Sequence, residues 1–183
     1  MSKLYIADLH IGHKNVIKHD GRPFGDMEEM QGALVANWNR AVCADDEVYI
    51  LGDFAWKNFL GLAALQEMKG RKFLILGNHD DPSGEMKAYF EWIRDMAVIR
   101  DGNTDVVLCH YPVAHWYNQY RGAVHLYGHV HNNDDYRAFL KYGEICKDMN
   151  IPFECYNVGC MLGYMNYTPR TLEEIRSGFD DKQ

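Results

Sequence analysis

The stretch KLYIADLH, residues 3–10, opens the chain with an apolar segment and ends in two potential metal ligands. Its β-branched and aromatic residues favour a strand over residues 3–7. Because side chains alternate between the two faces of a strand, Asp8 and His10 are expected to point to the same side. If this pair of donors belongs to a site, further donors are expected at the ends of other strands.

Several more segments have the composition of strands, and helical patterns lie between them. The predicted strands are residues 3–7, 48–51, 73–76, 105–109, 124–127 and 155–158. Helices are predicted over residues 26–43, 58–69 and 83–96, and a last short helix follows a capping box of Thr171 and Glu174. Residues 134–150 are ambiguous, because Gly143 interrupts a helical pattern. The alternation indicates an α/β layered domain, in which chemistry lies at the carboxyl ends of the strands.

Oxygen and nitrogen donors follow five of the predicted strands. The blocks are Asp8 and His10, Gly52-Asp53, Gly77-Asn78-His79-Asp80, His110, and Gly128-His129-Val130-His131. Taken singly, each block is as well explained by a turn residue or a structural histidine. Because all five blocks occur, and each follows a predicted strand, together they favour a metal site.

The types of donor in these blocks narrow the class of metal. Carboxylates, an amide and imidazoles without thiolates favour Mn, Fe, Ni, Zn or Co in a reactive site over a structural zinc. Seven of these donors, namely two carboxylates, one amide and four histidines, are too many for one ion and fit two ions if one carboxylate bridges them. Two metals about 3.5–4 Å apart form the clamp used for in-line displacement at phosphorus.

The composition bounds the class of protein. The chain has 183 residues, of which 47% are hydrophobic, and we expect a single domain over residues 1–183. The net charge of −7 argues against non-specific nucleic-acid binding, which needs a basic face. Apolar runs are far shorter than the roughly 20 residues of a membrane span, and no signal peptide is recognisable, so we expect a cytoplasmic protein without membrane contact.

The five blocks together resemble the calcineurin-like metallophosphoesterase family, in particular its small prokaryotic and phage members. The family pattern is DxH, GD, GNH(D/E), H and GHxH, and here it extends from Asp8 to His131. The resemblance implies an α/β fold, a four-layer α/β/β/α sandwich of two mixed sheets.

The resemblance also implies a role for each residue. The first ion is assigned Asp8, His10, Asp53 and His131. The second ion is assigned Asp53, Asn78, His110 and His129, with Asp53 as the bridging ligand. His79 is then a catalytic residue that faces the leaving-group oxygen, and Asp80 is the second catalytic residue, which orients His79. A histidine titrates in the range that protonation of a leaving group requires.

The function implied is hydrolysis of a small phosphodiester or phosphomonoester by in-line attack of a metal-bridging hydroxide, with the diester favoured. The cofactors implied are two divalent transition-metal ions, Mn²⁺ before Fe, Ni, Zn or Co, and the partner is a small phosphorylated substrate. Two alternatives remain open at this point. One is a nuclease or protein phosphatase of the same family, and the other is a non-catalytic metal-binding interaction scaffold.

A few residues outside the blocks are weaker candidates for contacts with a substrate. The aromatic candidates for stacking are Trp56, Trp116, Tyr117 and Tyr164. Arg22 and Arg121 are candidates for contacting a distal phosphate. Cys160 and Met161 depart from the polar residues expected at that point of the family pattern, which places substrate contacts from their loop in doubt.

Overall fold

Eight strands in two four-stranded sheets form the centre of the computed structural model, which describes residues 1–180. The strands are β1 (Lys3–Ile6), β2 (Glu47–Leu51), β3 (Arg71–Ile75), β4 (Phe90–Arg94), β5 (Met96–Asp101), β6 (Thr104–Cys109), β7 (Val124–Tyr127) and β8 (Cys155–Asn157). The helices are α1 (Lys14–His19), α2 (Met27–Ala41), α3 (Asn58–Glu67), α4 (Gly84–Lys87), α5 (Asp134–Asp148) and α6 (Leu172–Asp180).

The two sheets differ in strand direction. The first sheet has the order β1-β2-β3-β4 and its neighbouring strands are parallel. In the second sheet, β5-β6-β7-β8, the first pair is antiparallel and the other pairs are parallel. The predicted α/β sandwich is confirmed, but the first sheet is parallel where a mixed sheet was expected. Each of its connections passes through a helix, which returns the chain to the same end of the sheet.

The two sheets meet along the edge strands β1 and β8. The backbone N–H of Ala7 donates to Val158 O at 2.8 Å, and that of Cys160 donates to Ala7 O at 2.9 Å. The hydroxyl of Tyr5 on β1 donates to Asp101 Oδ2 on β5 at 2.9 Å. Buried residues of both sheets form one continuous hydrophobic cluster. The carboxyl ends of strands from both sheets are therefore brought to a common region.

Residues 134–150, ambiguous in the sequence, are mostly helical as α5. The helix passes through Gly143, where an added Cβ would lie 3.2 Å from Phe153 Cδ1, so the absence of a side chain admits that ring. Phe139 of α5 packs edge-on against Tyr127 of β7, with ring centroids 5.3 Å apart. Among residues 1–180, no helix combines the length and apolar character needed to cross a membrane.

The helix predicted over residues 83–96 is wrong for most of its length. Only Gly84–Lys87 is helical, and Phe90–Arg94 forms β4, which extends the first sheet beside β3. Trp92 of β4 packs against Phe73 of β3, with ring centroids 5.2 Å apart. Aromatic pairing between strands stabilises a sheet, and this tertiary contact prevails over a local pattern that also fits a helix. The strand β5 and the six-residue helix α1 were not predicted.

Candidate metal centre

Four predicted ligands converge where the two sheets meet. They are Asp8, His10, Asp53 and His131, and one ligand atom of each lies within 4.8 Å of the others. His10 Nε2 and His131 Nε2 are 3.1 Å apart, although 121 positions separate the two residues in the sequence. The cluster combines the loops after β1, β2 and β7, and β7 belongs to the second sheet. Packing of the two sheets is therefore what assembles it.

Asp53 lies between two groups of histidines. Its Oδ1 accepts a hydrogen bond from the backbone N–H of His79 at 3.0 Å. Its Oδ2 lies 3.6 Å from Nε2 of His10 and 3.6 Å from Nε2 of His110. One carboxylate oxygen thus faces an imidazole from each of the two predicted ligand sets. A bridging ligand needs this geometry.

The ring of His110 has a defined proton position. Its Nδ1 lies 2.8 Å from Leu51 O, and a carbonyl oxygen can only accept, so Nδ1 carries a proton. In the neutral ring, Nε2 then presents a lone pair to Asn78 Oδ1 at 3.2 Å and Asp53 Oδ2 at 3.6 Å. Three electron-rich atoms face one another, and a cation would stabilise this arrangement. The His129 ring packs beside His110, with ring centroids 5.0 Å apart.

Asp8 is fully buried and is oriented by the loop after β7. The backbone N–H of His129 lies 3.1 Å from each carboxylate oxygen of Asp8. Burial raises the pKa of Asp8 to about 6, and the nearby imidazoles of His131 and His110 offset this only in part. Burial, reinforced by His131, lowers the pKa of His10 to about 2, so this ring is neutral and keeps a lone pair for a cation.

The predicted ligands share an unusual backbone conformation. Five of the seven have left-handed φ angles: Asp8 (57°), His10 (53°), Asp53 (53°), His129 (69°) and His131 (42°). This conformation costs a non-glycine residue about 1–2 kcal/mol, so it persists only where the surrounding structure enforces it. It turns these residues out of the extended course of the strands that precede them, at the region where the carboxyl ends of both sheets meet.

Two glycines of the blocks are required by close approach. A Cβ on Gly52 would lie 2.2 Å from His110 Nδ1, and the φ of Gly52 is +89°. A Cβ on Gly77 would lie 2.2 Å from Asp53 Oδ1. Such distances are far inside van der Waals contact. Glycine at these positions lets the side chains of His110 and Asp53 lie directly against the neighbouring backbone.

Asp20 and Arg22 lie beside the cluster and support it. Asp20 was not predicted as a site residue, and Arg22 was predicted only as a contact for a distal phosphate. Asp20 Oδ1 lies 2.7 Å from His131 Nδ1, and its Oδ2 accepts from Arg22 Nε at 2.9 Å. The carboxylate accepts a hydrogen bond from the protonated Nδ1, so Nε2 of His131 is directed at the cluster. Burial opposes charge on His131, but the hydrogen bond to Asp20 raises its pKa above the usual value. Neither residue follows a strand directly, which is why the pattern of blocks omits both.

The guanidinium of Arg22 is completely buried, so Arg22 is not available to hold a distal phosphate. It donates to Leu9 O at 3.0 Å and to Asp8 O at 2.9 Å. Cys160 is also buried, and its thiol lies 3.2 Å from Asp8 O. Both residues support the strained loop that carries Asp8. The side chain of Cys160 therefore has a structural role.

His79 and Asp80 have separate surroundings. The ring of His79 is exposed, and its centroid lies 5.8 Å from that of His10. The carboxylate of Asp80 accepts from the backbone N–H groups of Asp53 at 2.7 Å, Phe54 at 2.9 Å and Gly77 at 2.9 Å. These bonds join the loops after β2 and β3. The geometry therefore differs from the expected role of Asp80 as the partner that orients His79: Asp80 positions the backbone of Asp53.

The side chains present fit a divalent transition-metal ion. The cluster consists of carboxylate and imidazole donors, which suit Mn, Fe, Co, Ni and Zn. His131 has the carboxylate partner on its outer nitrogen that metal-ligating histidines commonly have. Within residues 1–180, His10 Nδ1 is buried without a hydrogen-bond partner, so this ring is held by packing and by its neighbours in the cluster.

Fold and site together define an α/β sandwich protein with an Asp/His cluster that could hold metal at the carboxyl ends of strands from its two sheets. The chain belongs to the same family as protein MJ1445 of Methanocaldococcus jannaschii, described as uncharacterized, with 33% identity over 96% of this chain and 90% of the relative. The Gene 66 protein of Mycobacterium phage L5 is 32% identical over 70% of this chain and 76% of its own length. No protein-family model matches the chain.

Two solved structures are similar in fold to this chain. Protein AQ665 of Aquifex aeolicus, described as a protein of unknown function, superposes with a TM-score of 0.72 at 26% identity, over 96% of this chain and 97% of its own. The nuclease MPE of Pseudomonas putida matches over 70% of this chain and 61% of its own, with 24% identity and a TM-score of 0.45. That second superposition is too loose to bear on function.

Proposed function

We propose that this protein is a metal-dependent hydrolase of phosphoric esters that acts on a small phosphodiester in preference to a phosphomonoester. One observation carries the proposal: Asp53 Oδ2 lies 3.6 Å from Nε2 of both His10 and His110. A single oxygen between two imidazole groups is suited to two neighbouring cations. The complete set of five sequence blocks, which resembles that of metallophosphoesterases, points to the same chemistry.

The cations proposed are two divalent ions, with Mn²⁺ favoured. When bound, they would supply a water of lowered pKa and neutralise charge on the phosphoryl oxygens. Asp8, His10 and His131 would hold the first ion together with Asp53. Asn78, His110 and His129 would hold the second ion, with Asp53 shared.

The rest of the chemistry falls to side chains of the chain itself. His79 is exposed beside the cluster, and its backbone N–H is tied to Asp53, so its position follows that of the proposed bridging ligand. We assign to its imidazole N–H the transfer of a proton to the departing ester oxygen. Asp80 acts through the backbone of Asp53 and is a positioning residue in this proposal.

The size of the substrate follows from the charge of the protein. With a net charge of −7, the chain has no excess of cations to follow a polyanionic backbone. Cations bound at the cluster would reverse the field locally and attract a single phosphate group. A small ester is therefore preferred over a nucleic-acid polymer.

The test is hydrolysis of bis-p-nitrophenyl phosphate and p-nitrophenyl phosphate by protein loaded in turn with Mn²⁺, Ni²⁺, Co²⁺ and Zn²⁺. We expect release of p-nitrophenol, faster from the diester. In Asp53→Asn we expect loss of bound metal, and a fall in rate of about 100-fold or more, because both ions lose a shared ligand.

The matched control is Asp46→Asn. The Asp46 carboxylate is also hydrogen-bonded to backbone N–H groups, those of Ser2 and Cys43, but it is not part of the metal cluster. Its rate should remain near that of the wild type. Metal binding without turnover of either ester under all four metals would overturn the proposal and leave a metal-binding scaffold.

A further inference from the structure

Of the four aromatic side chains considered for stacking, only Trp56 contacts a histidine of the site, His79. The Trp116 indole N–H donates to Ala123 O at 2.8 Å, and the Tyr164 hydroxyl donates to Asn157 O, so both have structural partners. Tyr117 is exposed in the loop before the 3₁₀ turn Gln119–Arg121. Trp56 lies three residues after Asp53 and is 47% exposed.

The indole of Trp56 has one covered face. It stacks on the ring of His13 with centroids 4.3 Å apart and an interplanar angle of 11°. The ring of His79 is also adjacent, with its centroid 4.9 Å from that of the indole and its plane tilted by 54°. Because nearly half of the residue remains accessible, its uncovered surface opens to solvent beside the histidine assigned to the leaving group.

The position of Trp56 is also fixed in the protein without ligand. The backbone N–H of Trp56 donates to Ile11 O at 2.9 Å, and Ile11 forms a β-bridge with Ala55. These contacts join the loop that carries Asp53 to the loop that carries His10. They hold the backbone of Trp56, and the stack on His13 limits the motion of its ring. Stacking on such a ring costs little conformational entropy, so the indole is preorganised for a planar ligand.

We propose that Trp56, backed by His13, is a subsite that stacks the planar base of a nucleoside phosphate ester whose phosphorus lies at the Asp/His cluster. The inference rests on the proposed function. Planar heteroaromatic groups in biological phosphate esters are chiefly nucleobases, and every base offers a face to an indole. The acidic net charge limits the ligand to mononucleotide size.

The test compares two ligands that differ at the anomeric carbon, which carries a base in one and a hydroxyl in the other. Adenosine 5′-monophosphate and ribose 5-phosphate carry the same phosphate on the same sugar carbon, and their affinities for Mn²⁺-loaded protein are measured by titration calorimetry. We expect the nucleotide to bind about tenfold more tightly in the wild type, the range that base–aromatic stacking provides. Trp56→Ala should reduce this ratio to about twofold or less and leave the affinity for ribose 5-phosphate unchanged. Trp56→Phe should keep most of the ratio.

Two further variants make the assignment specific. Tyr120, 70% exposed in the 3₁₀ turn, is the control for loss of an exposed aromatic ring, and Tyr120→Ala should keep the wild-type ratio. Tyr111 is also exposed, but it lies against His129, with ring centroids 4.6 Å apart. A ratio that is lost in Tyr111→Ala and kept in Trp56→Ala would overturn the inference.

The test separates failure of the subsite from failure of the proposed function. Equal affinities for the two ligands in the wild type, together with hydrolysis of aryl phosphate esters, would overturn the subsite alone. No binding of either phosphate and no hydrolysis would overturn both. A ratio that falls in Trp56→Ala and is restored in Trp56→Phe supports the subsite, because a purely structural role would also weaken the binding of ribose 5-phosphate.

Discussion

His131 Nδ1 and Asp20 Oδ1 are 2.7 Å apart, and this hydrogen bond connects the cluster to a buried guanidinium. Arg22 lies 2.8 Å from the same carboxylate and also donates to the backbone carbonyl of Asp8. A single arginine thereby supports the loop of the first sheet that carries Asp8 and, through Asp20, the predicted ligand His131 of the second sheet. This relation makes the geometry of the cluster depend on residues that do not themselves face it.

We expect Asp20→Asn to weaken Mn²⁺ binding about 10-fold to 100-fold, because His131 loses the carboxylate that holds its proton on Nδ1. Calorimetric titration of the purified variant measures the affinity. Nitrogen NMR of the metal-free protein should show His131 with its proton on Nδ1 in the wild type and a mixture of tautomers in the variant. Unchanged affinity and an unchanged tautomer would contradict the role given to Asp20. Asp46→Asn should leave both measurements as in the wild type.

Gly52→Ala should disrupt the site and destabilise the fold by about 3 kcal/mol or more. The added Cβ would lie 2.2 Å from His110 Nδ1, at a φ of +89° that alanine disfavours. The measurements are the midpoint temperature of thermal unfolding and the metal that remains bound after dialysis. Both should fall.

Gly32→Ala is the matched control for that substitution. Gly32 lies inside α2, where an added Cβ meets nothing within 4 Å. Alanine is the better helix former there, so the free energy of unfolding should rise by about 0.5–1 kcal/mol. Equal effects of the two substitutions would show that close approach at Gly52 is not what requires glycine.

His79→Ala should lower the rate of ester hydrolysis about 100-fold or more while bound metal remains at the wild-type level. The loss should be smaller for p-nitrophenyl esters than for alkyl esters, because a good leaving group needs less protonation. His19→Ala removes an exposed histidine at the end of α1 and should leave both rate and metal unchanged. Loss of metal in His79→Ala would show that His79 is a ligand.

Metal affinity should fall at least tenfold for each pH unit below about pH 6. The pKa of Asp8 is raised to about 6, so below that value the carboxyl group holds a proton that a cation must displace. The raised pKa of His131 adds a second competing proton. Calorimetric titrations between pH 5 and pH 8 measure the dependence. A flat profile across that range would contradict the buried position of the carboxylate.

The same raised pKa has the opposite effect on the metal-free fold. Between the ordinary pKa of an aspartate and about 6, folded Asp8 keeps a proton that the unfolded chain releases. The contribution of this residue to the free energy of unfolding therefore increases as the pH falls through 6. Urea unfolding of metal-free wild type and Asp8→Asn at pH 7 and pH 5 measures this contribution. The free energy of unfolding at pH 5 minus that at pH 7 should be lower in the variant than in the wild type.

Local sequence was sufficient to predict most helices and strands whose apolar residues have a clear period and whose ends carry clear signals. The strand β7 has the predicted bounds, and α2 begins after Asp26, whose side chain accepts from the N–H of Glu29 at 2.8 Å. The segment that contains β4 could not be predicted in this way. Its apolar residues fit a helical period, and only the neighbouring strand β3 provides the partners that make it a strand.

By itself, the sequence determined which residues are candidate donors, because the residue that follows the end of a strand is a local property. Asp8, Asp53, His110 and His129 were identified from that property alone. Only the tertiary structure decided how the donors meet. Left-handed backbone angles turn five of them away from their strands, and the junction of two sheets brings His131 to His10. Asp20 and Arg22 entered the site for the same reason: their contacts join segments far apart in the chain, which no local pattern records.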